Sequence, residues 1–149
     1  MAANSKTLAL NVERTIDAPV ERVWQAWADP AELSHWFTTH HHHLFEEKGA
    51  YQNGDGDKGV YTEIVPNQRL KFTWENETDC PGTSVRIEFR REGAYKTSVA
   101  LTHENLADVA AVDNMREGWT WALESWKSYS ETGIPIKFKD WRAGSKAKG

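Results

Sequence analysis

Apolar residues in the last third of the chain recur at helical spacing and predict one long helix. At about 100° per residue, one stripe of this helix carries Val112, Met115, Trp119, Leu123, Trp126 and Ser130. Trp121 points roughly the opposite way. The pattern predicts a helix over residues 109–131, with Gly133 as its C-cap. A helical face this apolar must lie against a broad apolar surface.

The preceding part of the chain alternates between apolar and polar residues, which predicts strands. Residues 7–16 predict the first strand. From Leu44 to His103 the alternation indicates about five more strands, separated by turns such as Asn53-Gly54-Asp55-Gly56. Because short turns join antiparallel neighbours, we expect one antiparallel sheet of about six strands.

Two short helices are predicted between the first strand and the others. The first begins after Pro19, which is tolerated in a first helical turn. Its apolar positions are Val20, Val23, Trp24 and Trp27. The second begins at Asp29-Pro30, because aspartate is a good N-cap and proline suits the first helical position. Its buried face is predicted to be Leu33, Trp36 and Phe37. This order of elements indicates an α+β domain with its helices on one face of the sheet.

Composition narrows the class of protein. A length of 149 residues suits one domain, and 39% apolar residues indicate a globular fold. The net charge of −4 argues against a nucleic-acid partner. No apolar run is long enough for a membrane span, and the start has no signal core. With a single cysteine, Cys80, these features lead us to expect a cytoplasmic protein without a membrane partner.

The segment at residues 134–149 is basic, with five Lys or Arg residues and one acid. We interpret it as a partly disordered tail that alternates weakly and straps onto the surface. Trp121 would be exposed on the outer face of the long helix unless something covers it. We expect the tail, with Phe138 and Trp141, to cover Trp121. The alternative is a second subunit, so the protein is expected to be a monomer or a weak dimer.

Short motifs occur along the chain in an order that resembles a known family. They are Ala18-Pro19, Val23-Trp24, Asp29-Pro30, Trp36, residues 59–66, residues 69–74, Thr102-His103-Glu104 and Gly118-Trp119. Over residues 8–132 the chain resembles the START-related (SRPBCC) helix-grip superfamily. Within it, the chain is similar to bacterial proteins that resemble the C-terminal domain of the activator of the heat-shock-protein-90 ATPase. The resemblance implies a curved antiparallel sheet wrapped on the long helix, a cavity between them, and a single helix-grip domain at residues 1–133.

The resemblance raises the expectation of a binding site among side chains that would otherwise form only a core. We predict that a small hydrophobic or amphipathic ligand contacts Trp36, Tyr51, Tyr61, Glu63, Phe72, Trp74, Thr97, Val99, Leu101, His103, Met115, Trp119 and Leu123. One conflict stands within this set. If Tyr61 and Glu63 face inward, strict alternation leaves Val60 and Ile64 on the outer face. The alternative function is a protein-interaction or stress-response module with a chaperone partner. That partner is disfavoured, because the eukaryotic activator has a separate N-terminal domain for it.

An enzymatic function has weaker support. His103 shares strand parity with Val99 and Leu101, so it lies near the helix and is either a titrating base or a structural histidine. Histidine is a common metal ligand, and a run of four occurs at His40-His41-His42-His43, with His35 nearby. The run lacks a recognised ligand spacing, so we interpret it as a polar loop. No nucleophile motif, phosphate loop or dinucleotide fingerprint occurs. We therefore predict no catalytic residue, no metal and no cofactor.

Overall fold

The computed structural model describes residues 8–37, 42–54, 56–76 and 82–148, with side chains up to residue 144. His40, His41, Asp55 and Cys80 lie outside these ranges. In chain order the elements are β1 (Leu8–Ile16), α1 (Val20–Ala28), α2 (Pro30–Trp36), β2 (His42–His43), β3 (Ala50–Gln52), β4 (Lys58–Val65), β5 (Arg69–Trp74), β6 (Thr83–Gly93), β7 (Lys96–Leu106), α3 (Val109–Thr132) and α4 (Phe138–Lys148).

The strands in the described ranges form one antiparallel sheet in the order β1-β7-β6-β5-β4-β3-β2. The sheet has seven strands rather than about six, because the two-residue strand β2 pairs with β3. The long helix α3 and two short helices after β1 complete the α+β helix-grip fold that the sequence predicts. None of the helices in the described ranges has the length and apolar character needed to cross a membrane.

Local sequence signals account for the bounds of the helices. Asp29 caps α2, since its side chain accepts a hydrogen bond from the Ala31 N–H at 2.9 Å. Asp108 caps α3 in the same way, with the Ala111 N–H as donor at 2.8 Å. Gly133 ends α3 in the left-handed conformation, at a φ of 81°, as predicted.

The C-terminal half of α3 packs on the sheet and on α1 and α2 through buried aromatic rings. Trp126 is fully buried and stacks on Trp36 with ring centroids 4.9 Å apart. Phe89 of β6 contacts the Trp126 ring edge-on at 5.6 Å. The indole N–H of Trp126 donates to the Val23 carbonyl at 3.0 Å, so this large side chain is buried without an unpaired polar atom.

A β-bulge in β4 resolves the conflict over which residues face inward. Tyr61 pairs with Phe72 and Glu63 pairs with Lys71, so Thr62 is an extra residue. The extra residue reverses the alternation, and Tyr61 is buried while Ile64 also packs on the core. Glu63 faces away from the helix, where its carboxylate accepts from Arg69 Nε at 2.8 Å. Glu63 therefore does not have the inward position on which its prediction as a ligand-binding residue depends.

The segment after Gly133 packs on the outer side of α3. Its residues 138–148 form helix α4, where the sequence predicts a weakly alternating, partly disordered tail. The indole N–H of Trp121 donates to the Ile136 carbonyl at 2.7 Å, and the Phe138 ring contacts Trp121 edge-on at 5.5 Å. The prediction that the tail covers Trp121 is confirmed. Trp141 contributes indirectly, because it contacts Phe138.

A series of hydrogen bonds through His103 joins α3 to three strands. The Trp119 indole N–H donates to His103 Nδ1 at 3.0 Å. Nδ1 must therefore be unprotonated, so the proton on Nε2 donates to Thr83 Oγ1 at 2.8 Å. The Thr83 hydroxyl in turn donates to the Trp74 carbonyl at 2.5 Å. His103 is completely buried, and this burial lowers its pKa to about 4, so the ring is neutral at pH 7.

We expect the stability of the protein to depend on pH through His103. Between its ordinary pKa of 6.5 and its folded pKa of about 4, the unfolded chain binds a proton that the folded protein does not. The neutral His103 therefore contributes to the free energy of unfolding. This contribution is fully present above pH 6.5 and declines as the pH falls through this window, by about 3 kcal/mol in total. His103→Gln keeps a donor and an acceptor but does not titrate. Urea titrations measure the free energy of unfolding of both proteins. The amount by which the wild-type value exceeds that of the variant should shrink from pH 6.5 to pH 4. A constant difference would contradict the assignment of a buried neutral histidine.

Candidate functional site

A cavity of about 650 Å³ lies beside the N-terminal half of α3. It is partly open to solvent and has four walls: residues 34–37 at the end of α2, Trp74 with Asp57 and Asn76 next to the sheet, α3 itself, and residues 135–138 of the tail. Its volume falls within the range of about 300–1,000 Å³ that is typical of small-molecule sites. The cavity is therefore large enough for a ligand of two or more rings.

Aromatic rings form most of the apolar lining of this cavity. The Trp74 and Trp119 rings lie 4.9 Å apart, and the Phe37 ring stacks on Trp119 at 5.4 Å. Phe37 also contacts Trp121 at 6.0 Å. Trp36, Trp74 and Trp119 are almost fully buried, whereas Phe37 is half-buried at the cavity wall. These flat, apolar surfaces suit an aromatic or aliphatic guest.

Gly118 leaves an opening in the α3 wall. Glycine in the interior of a helix costs about 1 kcal/mol relative to alanine. Packing does not require it here, because a Cβ added to Gly118 would meet no heavy atom within 4 Å. Gly118 lines the cavity, so the missing side chain enlarges the space next to Trp119.

The polar groups of the lining differ in how they are paired. The Asp57 carboxylate accepts from the Asn76 amide at 3.1 Å. Trp119 and Trp121 donate their indole protons to His103 and Ile136. The indole N–H of Trp74, in contrast, is buried and has no hydrogen-bond partner among the residues that the structure describes. Such an orphaned donor is unusual in a folded protein and is a candidate contact for a ligand.

The predicted ligand residues separate into cavity and core. Those that line the cavity are Trp36, Trp74, Met115 and Trp119. Those that are buried in the core away from the cavity are Tyr61, Phe72, Thr97, Val99, Leu101, His103 and Leu123. Thr97 is structural, because its hydroxyl donates to the Ala18 carbonyl at 2.9 Å. Both ring nitrogens of His103 are engaged, so neither can act as a base toward a molecule in the cavity.

The sequence prediction missed several residues of the cavity. Phe37 was assigned only to the buried face of α2, and Trp121 was placed opposite the apolar stripe. Both line the cavity, as do residues 135–138. One signal was available in the sequence, since Gly118 interrupts an otherwise strong helical pattern without ending the helix.

A second, shallower space of about 790 Å³ lies between α2 and strands β2 and β3. Tyr51 lines this space rather than the tryptophan-lined cavity, and its hydroxyl donates to the Thr73 carbonyl at 2.5 Å. Exposed residues such as His42 and Leu44 form much of its lining. It is a surface hollow and the weaker candidate for a binding site.

His43, from the histidine run, has a structural role. Its Nε2 proton donates to the Ala28 carbonyl at 2.9 Å, so Nδ1 accepts from the Tyr61 hydroxyl at 2.8 Å. The Tyr61 oxygen accepts from Trp27 Nε1 at 3.1 Å. Burial lowers the pKa of His43 and raises the pKa of Tyr61, which keeps both groups neutral. In the ranges that the structure describes, no three His, Cys, Asp or Glu residues are grouped to hold a metal ion.

Two matched substitutions test the different pairing of the indole protons. Trp119→Phe and Trp74→Phe remove the same volume, but only Trp119→Phe leaves His103 Nδ1 without a donor. We expect Trp119→Phe to cost about 1–3 kcal/mol more than Trp74→Phe, as is typical for leaving a buried polar atom unpaired. Thermal or urea unfolding measures the difference. Equal losses of stability would show that the Trp119–His103 hydrogen bond contributes nothing.

Comparisons with known proteins agree with this architecture. A family model described as "Activator of Hsp90 ATPase homolog 1-like protein" matches residues 17–131. No curated protein sequence matches the chain. The crystal structure of CalU16 from Micromonospora echinospora is similar, with a TM-score of 0.78 and 24% identity over 93% of this chain and 82% of that chain.

Two further solved structures share the fold. The Aha1 dimer from Colwellia psychrerythraea has a TM-score of 0.75 and 22% identity, over 85% of this chain and 98% of that chain. PFC0360w, an HSP90 activator from Plasmodium falciparum, has a TM-score of 0.71 and 19% identity, over 87% of this chain and 99% of that chain. At these identities the likeness shows the fold alone.

The family match covers most of the chain. It runs from just before α1 almost to the end of α3 and includes the sheet wall and the helix wall of the cavity. The wall formed by residues 135–138 lies beyond the matched residues. The chain belongs to the family of activator of Hsp90 ATPase homolog 1-like proteins.

Proposed function

We propose that this protein binds a small apolar molecule in the cavity beside Gly118. The support is the combination of sufficient volume with an aromatic lining. Burial of apolar surface contributes about 25 cal/mol per Å², so a two-ring molecule enclosed by these walls would gain several kcal/mol. The role proposed is binding rather than catalysis, because His103, the candidate base, has both nitrogens engaged.

Gly118 is the observation that carries this proposal. The rest of the helix–sheet interface is filled by large rings, as at Trp126. At Gly118 the helix lacks a side chain although there is room for one, and the cost in helix propensity is not recovered by any closer packing. A space that is kept open at the expense of stability is what a binding site requires.

A chaperone-binding function is the second candidate, because the similar Plasmodium falciparum protein is an HSP90 activator. A chaperone-binding surface at this helix would need an exposed apolar patch around Trp121 or the tail. Trp121 is instead covered by Ile136 and Phe138 of its own chain. The proposed ligand site therefore has the stronger support.

The binding site can be located with the indole N–H signals of the eight tryptophans. We expect 2-ethylnaphthalene, an apolar two-ring probe, to shift the signals of Trp74, Trp119 and Trp121, which line the cavity. The Trp24 signal should remain in place, because Trp24 contacts Phe45 and Phe89 away from the cavity. A titration that moves no cavity signal, or moves all eight equally, would refute the proposed site.

Filling the cavity from the α3 wall tests the proposal by mutation. Gly118→Leu should raise the free energy of unfolding by up to about 1 kcal/mol, because leucine is the better helix former. The same change should weaken probe binding at least about tenfold by occupying the space. Gly144→Leu in α4 is the matched control, since its Cβ also meets nothing within 4 Å and it does not line the cavity. Undiminished binding to Gly118→Leu would contradict the proposal.

A further inference from the structure

The unpaired indole N–H of Trp74 indicates which chemical class of ligand the cavity takes, an inference that rests on the proposed function. Trp74 is 3% exposed, and its Nε1 is a buried donor that finds no acceptor within the described part of the chain. An indole N–H can only donate, so the complementary group on a ligand must be an acceptor. Burying this donor unpaired costs free energy that a bound acceptor would recover.

The neighbours of Trp74 leave its N–H unsatisfied. Its ring contacts with Phe37, Phe72 and Trp119 offer no oxygen or nitrogen acceptor. The Tyr51 ring also lies 6.1 Å from the Trp74 ring, but its hydroxyl donates to the Thr73 carbonyl and does not accept from Trp74 Nε1. The His103 ring is also adjacent, but both of its nitrogens are engaged by Trp119 and Thr83.

Phe37 is the cavity residue that we expect a ligand to displace in order to reach this N–H. Its ring contacts Trp74, Trp119 and Trp121, and it is half-buried, whereas Trp74 and Trp119 are buried. Phe37 lines the cavity and is the C-cap residue of α2, so it lies at the end of the helix and not within it. A ligand that replaces the Phe37 ring against Trp74 would bring its own polar atom to Nε1.

We propose that the cavity selects an apolar molecule that carries a neutral carbonyl or similar acceptor, which accepts a hydrogen bond from Trp74 Nε1. A neutral group is favoured over a carboxylate, because an ion placed among aromatic rings loses its hydration without gaining a counter-charge. Each charged or titratable side chain of the lining is either hydrogen-bonded to a neighbour or exposed to solvent. Asp57 is paired with Asn76, while His35 and Lys137 are exposed to solvent.

Three probes of nearly equal size separate the effects of apolar contact, a neutral acceptor and a negative charge on binding. They are 2-ethylnaphthalene, 2-acetylnaphthalene and 2-naphthoate. Calorimetric titration of the wild-type protein should give about fivefold tighter binding of 2-acetylnaphthalene than of 2-ethylnaphthalene, the value of one neutral hydrogen bond. 2-Naphthoate should bind more weakly than 2-acetylnaphthalene. In NMR spectra only the acetyl probe should move the Trp74 indole N–H signal downfield by the shift that accompanies a new hydrogen bond.

Variants then assign the preference to one residue. In Trp74→Phe the ratio of the two dissociation constants, for the ethyl and acetyl probes, should fall to about one, because the ratio cancels any change of volume. Trp121→Phe is the matched control. It removes the indole N–H of a cavity residue that already donates to Ile136, and it should leave the ratio unchanged.

The possible failures are distinguishable. Equal affinities of the wild type for the acetyl and ethyl probes, or a preference that survives in Trp74→Phe, would overturn the hydrogen bond while leaving an apolar site. Tightest binding by 2-naphthoate would overturn the neutral class and point to Lys137 at the cavity wall. No binding of any of the three probes would refute the proposed function itself.

Discussion

A continuous series of hydrogen bonds holds the long helix over the sheet. It runs from the Trp119 indole on α3 through His103 on β7 and Thr83 on β6 to the carbonyl of Trp74 on β5. Each group has its partner only if the helix lies at one position and depth, because a buried polar atom without a partner is costly. The series therefore holds Trp119 against Trp74, with their ring centroids 4.9 Å apart.

The two halves of α3 differ in how closely they pack against the sheet. Toward the C-terminus, Trp126 fills the space between helix and sheet by stacking on Trp36. Toward the N-terminus, Gly118 contributes no side chain, and the gap becomes a cavity. Residues 135–138 close its outer side by packing on Trp121. The same helix thus serves as core on one half and as the wall of the candidate site on the other.

The sequence predicted those features that depend on local, repeating signals. The stripe of α3, the caps at Asp29 and Gly133 and the inward position of His103 all follow from spacing or from a single residue type. Glu63 was misplaced because one bulge residue reverses the alternation, and nothing in the sequence of β4 marks the bulge. Trp121 reaches the cavity because the tail returns over the helix, a contact between distant segments that helical phase does not show.

The resemblance predicted a cavity between sheet and helix but could not place it along the interface. Its location depends on which side chains fill the space, and that is a property of packing rather than of pattern. A candidate list drawn from strand parity therefore included core residues such as Leu101 and omitted Phe37. The candidate site that we propose centres on a smaller set of rings around Gly118.

The most direct test of this account is a crystal structure of the protein with 2-acetylnaphthalene at saturating concentration. We predict that the naphthalene rings lie against Gly118 and Trp119, with the carbonyl oxygen about 3 Å from Trp74 Nε1. An empty cavity, or a probe bound only outside these residues, would contradict the central claim that the fold keeps this space for a ligand.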